Sequence, residues 1–320
     1  MLKTIILNSL KLLLAGALIG WLLKSGKLDF KLLGALKDHP LSLILVAILS
    51  AINFALISIR WRKILSARTT VKLPILGLMK ITWIGQFFSS VLPGSVSGDL
   101  VKILYVQNYE KDFTKKFLFA SILIDRAMGL SGLILLVGVN SLLFSGHILD
   151  NSPAMAPLLR FNHLLVILVA IAFTLFIYFN RNMRSLLVMG RSLFFPKLWD
   201  QLIQLWDDLV SIKSKMIRAL FLSVLIQFVG VIIFWSLISP FVSEQMDFIQ
   251  ALAFIPLGLM TLALPIAPSG LGVGHAIFQK LFEFTGITNG ASLFNIYFVL
   301  SLIVNVLGAI PYILSKRRQD

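Results

Sequence analysis

The 320-residue chain contains no cysteine, which excludes disulfides, thiolate metal sites and cysteine nucleophiles. Histidine is almost as scarce, with four residues (His39, His147, His163 and His275), and this argues against a histidine-rich metal centre. Acidic residues number only 14, and charged residues of both signs make up 13% of the chain. No phosphate-binding P-loop, HExxH pair or Ser-His-Asp spacing occurs, so there is no recognisable ATP motor or hydrolase centre. Any transport would therefore be passive, ion-coupled or exchange-driven, and no cofactor is implied.

What the chain has in abundance is apolar sequence: 58% of residues are hydrophobic, and mean hydropathy is +0.92. That composition defines an all-α polytopic membrane protein, because in lipid every backbone polar group must be satisfied within the chain. The net charge of +15 does not point to nucleic acid. Its lysines and arginines fall between the apolar runs, where they act as topology determinants. The length suits a single membrane domain over residues 1–320.

Runs of about 20 apolar residues are needed to cross a bilayer. Six such spans are expected, near 5–23, 40–59, 117–144, 161–179, 219–241 and 292–314. The first resembles a signal peptide but has no convincing cleavage site, so it is expected to remain as an anchor. Two further apolar stretches, 74–106 and 251–286, are broken by Pro, Gly and polar residues: Leu92-Pro93-Gly94-Ser95-Val96-Ser97-Gly98-Asp99 and Pro268-Ser269-Gly270-Leu271-Gly272-Val273-Gly274-His275. Such breaks survive in a membrane only when buried in protein or lining a watery cavity. One in each half points to a transporter-like site within an internal repeat.

Lysine and arginine counts give the sidedness. Segments 60–73, 102–116 and 181–218 carry five, four and seven of these residues. All three fall on one side only if each broken stretch is a re-entrant hairpin that leaves by the side it entered. Both termini are then cytoplasmic and the hairpins enter from opposite sides, as an inverted repeat. The four lysines of 24–39 oppose this assignment. Within 181–218, Trp199, Leu202, Trp206 and Leu209 recur at helical spacing. They describe an amphipathic helix, either interfacial at the cytoplasmic face or packed on the membrane domain.

Five residues are candidates for substrate binding. Asp125 and Arg126 lie inside the 117–144 span, where ionisable groups are costly and usually functional. Adjacent helix positions diverge by about 100°, so Arg126 is expected to face a cavity while Asp125 fixes a neighbouring segment; the alternative is a buried ion pair locking two helices. Asp99, near the start of a helix, either caps it or binds a headgroup or cation beside Lys102. His275 ends the second glycine run, where a satisfied core histidine is the plainer role. The hairpin breaks themselves fall on Pro93, Gly94, Gly98, Pro268, Gly270, Gly272 and Gly274.

Three motifs, in order, resemble one family: Leu92-Pro93-Gly94-Ser95-Val96-Ser97-Gly98-Asp99-Leu100-Val101-Lys102, Asp125-Arg126-Ala127-Met128-Gly129-Leu130 and Pro268-Ser269-Gly270-Leu271-Gly272-Val273. The family is the flippase-like transmembrane region of lysylphosphatidylglycerol synthases (multiple peptide resistance factors), with its free-standing relatives. The resemblance implies a lipid translocator of a prokaryotic cytoplasmic membrane, acting on an anionic or aminoacylated phospholipid or a lipid-linked intermediate. It places the family's implicated acidic residue on Asp99 and its arginine on Arg126. Where the family's second glycine motif commonly runs on to Arg-Glu, this chain has Gly274-His275. The separate synthase domain of bifunctional members is not implied, so catalysis is not expected. Alternatives are a non-catalytic partner of a separate lipid-modifying enzyme, and a lipid-linked glycosyl or headgroup transferase using Asp99 or Asp125 with Glu110 or Asp112.

Overall fold

The structure, a computed structural model, describes residues 24, 31–69, 71–91, 97–110, 113–190, 196–262 and 272–316. The expected 5–23 span and the break residues Pro93, Gly94, Pro268 and Gly270 lie outside them. The described residues fold into helices α1 (Pro40–Leu65), α2 (Ile75–Val91), α3 (Ser97–Val106), α4 (Lys115–Asn151), α5 (Ala156–Tyr178), α6 (Asn180–Gly190), α7 (Pro196–Ser211), α8 (Lys213–Val242), α9 (Phe248–Leu262), α10 (Val273–Glu283), α11 (Gly290–Val306) and α12 (Ala309–Lys316), besides short helical turns. Five helical stretches are long and apolar enough to cross a membrane: Pro40–Leu65, Lys115–Asn151, Pro153–Tyr178, Lys213–Val242 and Gly290–Leu314. They match the five expected spans that fall on described residues. The third span runs past its expected end: its apolar run stops at Phe144, where α4 bends (φ −130°), but the helix continues to Asn151.

α4 is the axis of the bundle, and its contacts fix the two ends. Near its start, Phe117 joins Leu65, Leu73, Leu78, Val106 and Phe113 in one apolar cluster. Near its end, His147 bonds Asp247, and Asn140 donates to the Ile249 carbonyl at 2.9 Å. The basic segments gather at the Phe117 end. Arg68 lies over the Phe117 ring and pairs with Asp208 at 2.9 Å, and Lys215 donates to Ser66 at 2.9 Å. α7 docks there too: Trp206 meets Phe176 edge-on and donates to the Asn180 carbonyl, while Leu202 stays exposed. Residues Leu36 and His39 lie at the opposite end, against the Val242 cluster and Phe241.

α2 and α3 pack antiparallel, with Tyr109 over Gly77, Lys102 over Gly85 and Ser89 over Gly98. A Cβ on Gly98 would overlap the Gly85 carbonyl, so glycine here is a condition of close approach. α9 and α10 pair in the same way, with Phe278 over Gly258 and Leu262 over Gly274. The open end of the first pair (Ile75, Val106) lies at the Phe117 end of α4, and that of the second begins beside Asp247, at the other. The two pairs thus enter the bundle from opposite ends. Around the second pair, Phe234, Phe278, Phe282 and Phe294 form a buried aromatic core, with Phe278 stacked on Phe294 at 4.9 Å.

Candidate functional site

The end of α2, the start of α3 and the last residue of α9 border a cavity of about 490 Å³ that α1, α4, α8 and α11 complete. Among the described residues, five charged side chains line it: Arg60, Lys102 and Arg126 against Asp99 and Asp125. Its remaining walls combine uncharged polar groups (Gln86, Ser89, Ser90, Gln227, Ser301 and Asn305) with apolar Leu130, Leu133, Leu262 and Phe298.

Asp125 and Arg126 divide as their helical offset requires. Asp125 turns toward α1 and is gripped by both arms of Arg60, Nε to Oδ1 at 2.8 Å and Nη2 to Oδ2 at 3.1 Å. The third guanidinium nitrogen, Nη1, donates to Ser223 on α8 at 3.0 Å. Both charged residues are buried, so this fork joins α1, α4 and α8 at a point where an unpaired charge would be costly. Arg126 turns instead toward the first break and donates Nε to Asp99 Oδ2 at 2.8 Å.

Asp99 stands in the first turn of α3, where the helix dipole favours a carboxylate. Its other oxygen lies 3.7 Å from Lys102 Nζ, one turn on. That ammonium also sits 4.4 Å over the Trp61 ring, a cation–π contact. The indole is held by its N–H bond to Ser121 at 3.1 Å. Ser97 donates back across the break to the Phe88 carbonyl at 3.3 Å. Arg126 has 42% of its side chain exposed against 14% for Asp99, so it is the most accessible of the cavity's cations.

Four of the expected binding residues, Asp99, Lys102, Asp125 and Arg126, therefore lie at one cavity. The fifth does not. His275 is buried between α10 and α11, edge-on to Phe294 at 4.8 Å, with Nε2 3.2 Å from Asn295 Oδ1. Phe294 and Phe298, which do line the cavity, stand in front of it. Gly272 adopts φ 76°, a left-handed conformation suited to glycine, immediately before α10, and Gly274 admits the Phe294 ring. Arg60 is the residue that sequence reasoning missed. The charge count groups it with the basic segment 60–73, yet it lies within α1 as the partner Asp125 needs. Its signal was the unexplained charge of Asp125 itself.

Among the described residues, no three of His, Cys, Asp and Glu come together as metal ligands. Glu110 accepts from Thr69 at 3.0 Å, away from the cavity, and Asp112 lies outside the described residues. The arrangement can hold an anion beside Arg126 and Lys102 while the walls accommodate uncharged polar groups.

Fold and site together define a polytopic helical membrane protein with a charged intramembrane cavity. The family model for the lysylphosphatidylglycerol synthase TM region matches residues 8–309, and the chain belongs to that family. Neither a curated protein nor a solved structure gives a match.

Proposed function

We propose that this protein is a lipid translocator, with the cavity holding the headgroup while the acyl chains stay in the bilayer. The observation that carries this reading is the accessible Arg126 in a polar cavity bordered by the helices flanking the first break and by the end of α9. Broken helices meeting at mid-membrane are the arrangement in which transporters bind polar substrates. On this reading each pair is a re-entrant hairpin, and the two form an inverted repeat. The end carrying the basic segments is cytoplasmic, by the positive-inside rule. Arg126 and Lys102 receive the anionic headgroup, and Asp99 orders both. Asp125 and Arg60 act as the fixed frame. No bond is made or broken in the substrate.

The test is leaflet exchange of fluorescent phospholipids in proteoliposomes, with the native chain, Arg126→Ala and Asp99→Ala. Exchange above the protein-free rate that Arg126→Ala abolishes supports the proposal. Unaltered exchange in Arg126→Ala removes the mechanism. No exchange from folded protein removes autonomous transport and favours a role beside a separate lipid-modifying enzyme.

A further inference from the structure

We propose that the deep end of the cavity is a second subsite, centred on Asn53, which takes the uncharged, hydroxyl-bearing part of a monoanionic phosphodiester headgroup. The proposal rests on the translocator reading and names the substrate class it would act on.

Charge gives the first half of the argument. Among the described residues, three cations face two carboxylates in the cavity, an excess of one positive charge. Both carboxylates are already held by arginines, Asp125 by Arg60 and Asp99 by Arg126. A cationic headgroup terminus would have to displace one of them. The segments joining the helices of each pair, 92–96 and 263–271, contain no Asp or Glu, so wherever they lie they add no carboxylate. One phosphodiester anion matches the excess, and a cationic aminoacyl end does not.

The second half comes from a smaller cavity of about 100 Å³ that shares Ile57, Tyr297, Ser301 and Asn305 with the first. Ser50, Asn53, Ile57 and Arg60 follow one another at spacings of three and four along α1, a single helix face. Ser50 is thereby placed about 15 Å along the axis from Arg60. Every described residue lining this extension is uncharged. Asn305 is engaged, donating to Ser90 at 3.1 Å. Asn53 Oδ1 is buried with no hydrogen-bond partner among the described residues. A buried amide oxygen requires a donor. A hydroxyl supplies one, whereas a phosphate oxygen cannot.

Binding of three short-chain lipids to the detergent-solubilised full chain, measured by titration calorimetry, tests this. Phosphatidylinositol carries one negative charge with hydroxyls, phosphatidylmethanol the same charge without them, and lysyl-phosphatidylglycerol a cationic end. The native chain is expected to bind phosphatidylinositol about five- to tenfold more tightly than phosphatidylmethanol, the worth of one satisfied hydrogen bond. Asn53→Leu should erase that margin and leave phosphatidylmethanol binding unchanged. It removes a buried amide oxygen that has no partner among the described residues, so the fold is expected to survive it. Ser301→Ala should narrow the same margin, which guards against an accident of the first variant. Equal binding of the two monoanions by the native chain overturns the subsite alone, as does an Asn53→Leu loss shared by both. Tighter binding of the lysyl ester overturns the substrate class. Failure of both monoanions to bind the native chain removes the translocator reading, and the subsite with it.

Discussion

Replacing Asp125 by alanine should be the most damaging single substitution at the cavity, and the reason is local. Arg60 would lose both of its carboxylate contacts and keep only the 3.0 Å bond to Ser223. Breaking a buried pair by removing one partner costs about 3–5 kcal/mol, because the survivor stays charged without compensation. That is about two to three and a half powers of ten in the folding equilibrium. Removing both partners together is different in kind. Arg60→Met combined with Asp125→Leu replaces the pair by apolar groups of similar size, and such replacements are often neutral or stabilising. Reversible unfolding in mixed micelles by SDS titration, followed by far-UV circular dichroism, gives all the stabilities needed for a double-mutant cycle. The single variants should each fall by several kcal/mol and the double variant should recover most of it. A loss below about 1 kcal/mol for Asp125→Ala would mean that water reaches the pair. A double variant as unstable as the single ones would mean that the fork holds the helices through its hydrogen bonds instead.

Arg126→Ala should behave oppositely, lowering leaflet exchange at least tenfold while stability moves by no more than about 1 kcal/mol, since exposed pairs contribute little; the same SDS titration and exchange assays read both. Lys102→Met removes the excess positive charge and should abolish any preference for anionic over zwitterionic lipid, with Lys102→Arg retaining it; headgroup competition in proteoliposomes reads this. Gly98→Ala should destabilise by about 1–3 kcal/mol, because its Cβ overlaps the Gly85 carbonyl and the α2–α3 pair must part. Trp206→Ala should loosen α7 from the end of the bundle, seen as faster tryptic cleavage at Arg184 or Lys197, since the indole joins Phe176 and Asn180.

The sequence discloses this fold wherever hydropathy alone decides the outcome. The spans at 40–59, 161–179, 219–241 and 292–314 need only apolar length, and their helices are where composition puts them. The 117–144 span is found but cut short, because its apolar run ends at Phe144 while the helix, bent there, continues through the more polar residues 145–151. The limits appear where a result depends on which way a side chain turns. Asp125 and Arg126 are one residue apart, and their 100° divergence was legible; that Asp125 would find Arg60 was not, since a charge at the end of an apolar run looks like a loop. His275 shows the converse. The glycines around it point to an open site, but Gly274 admits the ring of Phe294, which with Phe298 seals the histidine away. Glycine marks close approach of some group, and sequence does not say whether that group is a ligand or a phenyl ring.

The pairing of the broken helices also bears on what sets the cavity's polarity. Each break brings the C-terminal end of one helix, α2 or α9, beside the N-terminal end of the next, α3 or α10. Helix dipoles place about half a positive charge at an N-terminus and half a negative charge at a C-terminus, so within each antiparallel pair the two offset. Asp99 in the first turn of α3 further neutralises that N-terminus. The backbone therefore leaves little net field at the centre, and ligand charge is selected by side chains. Of these, Arg60 is committed to Asp125, and Asp99 is shared by Arg126 and Lys102. Among the described residues, the one positive charge in excess belongs to that shared group. An anion arriving there would compete with Asp99 for the same two cations, a competition that keeps binding weak enough for release. Removing Asp99 should consequently tighten headgroup binding while slowing exchange, a divergence that loss of a simple binding residue would not produce.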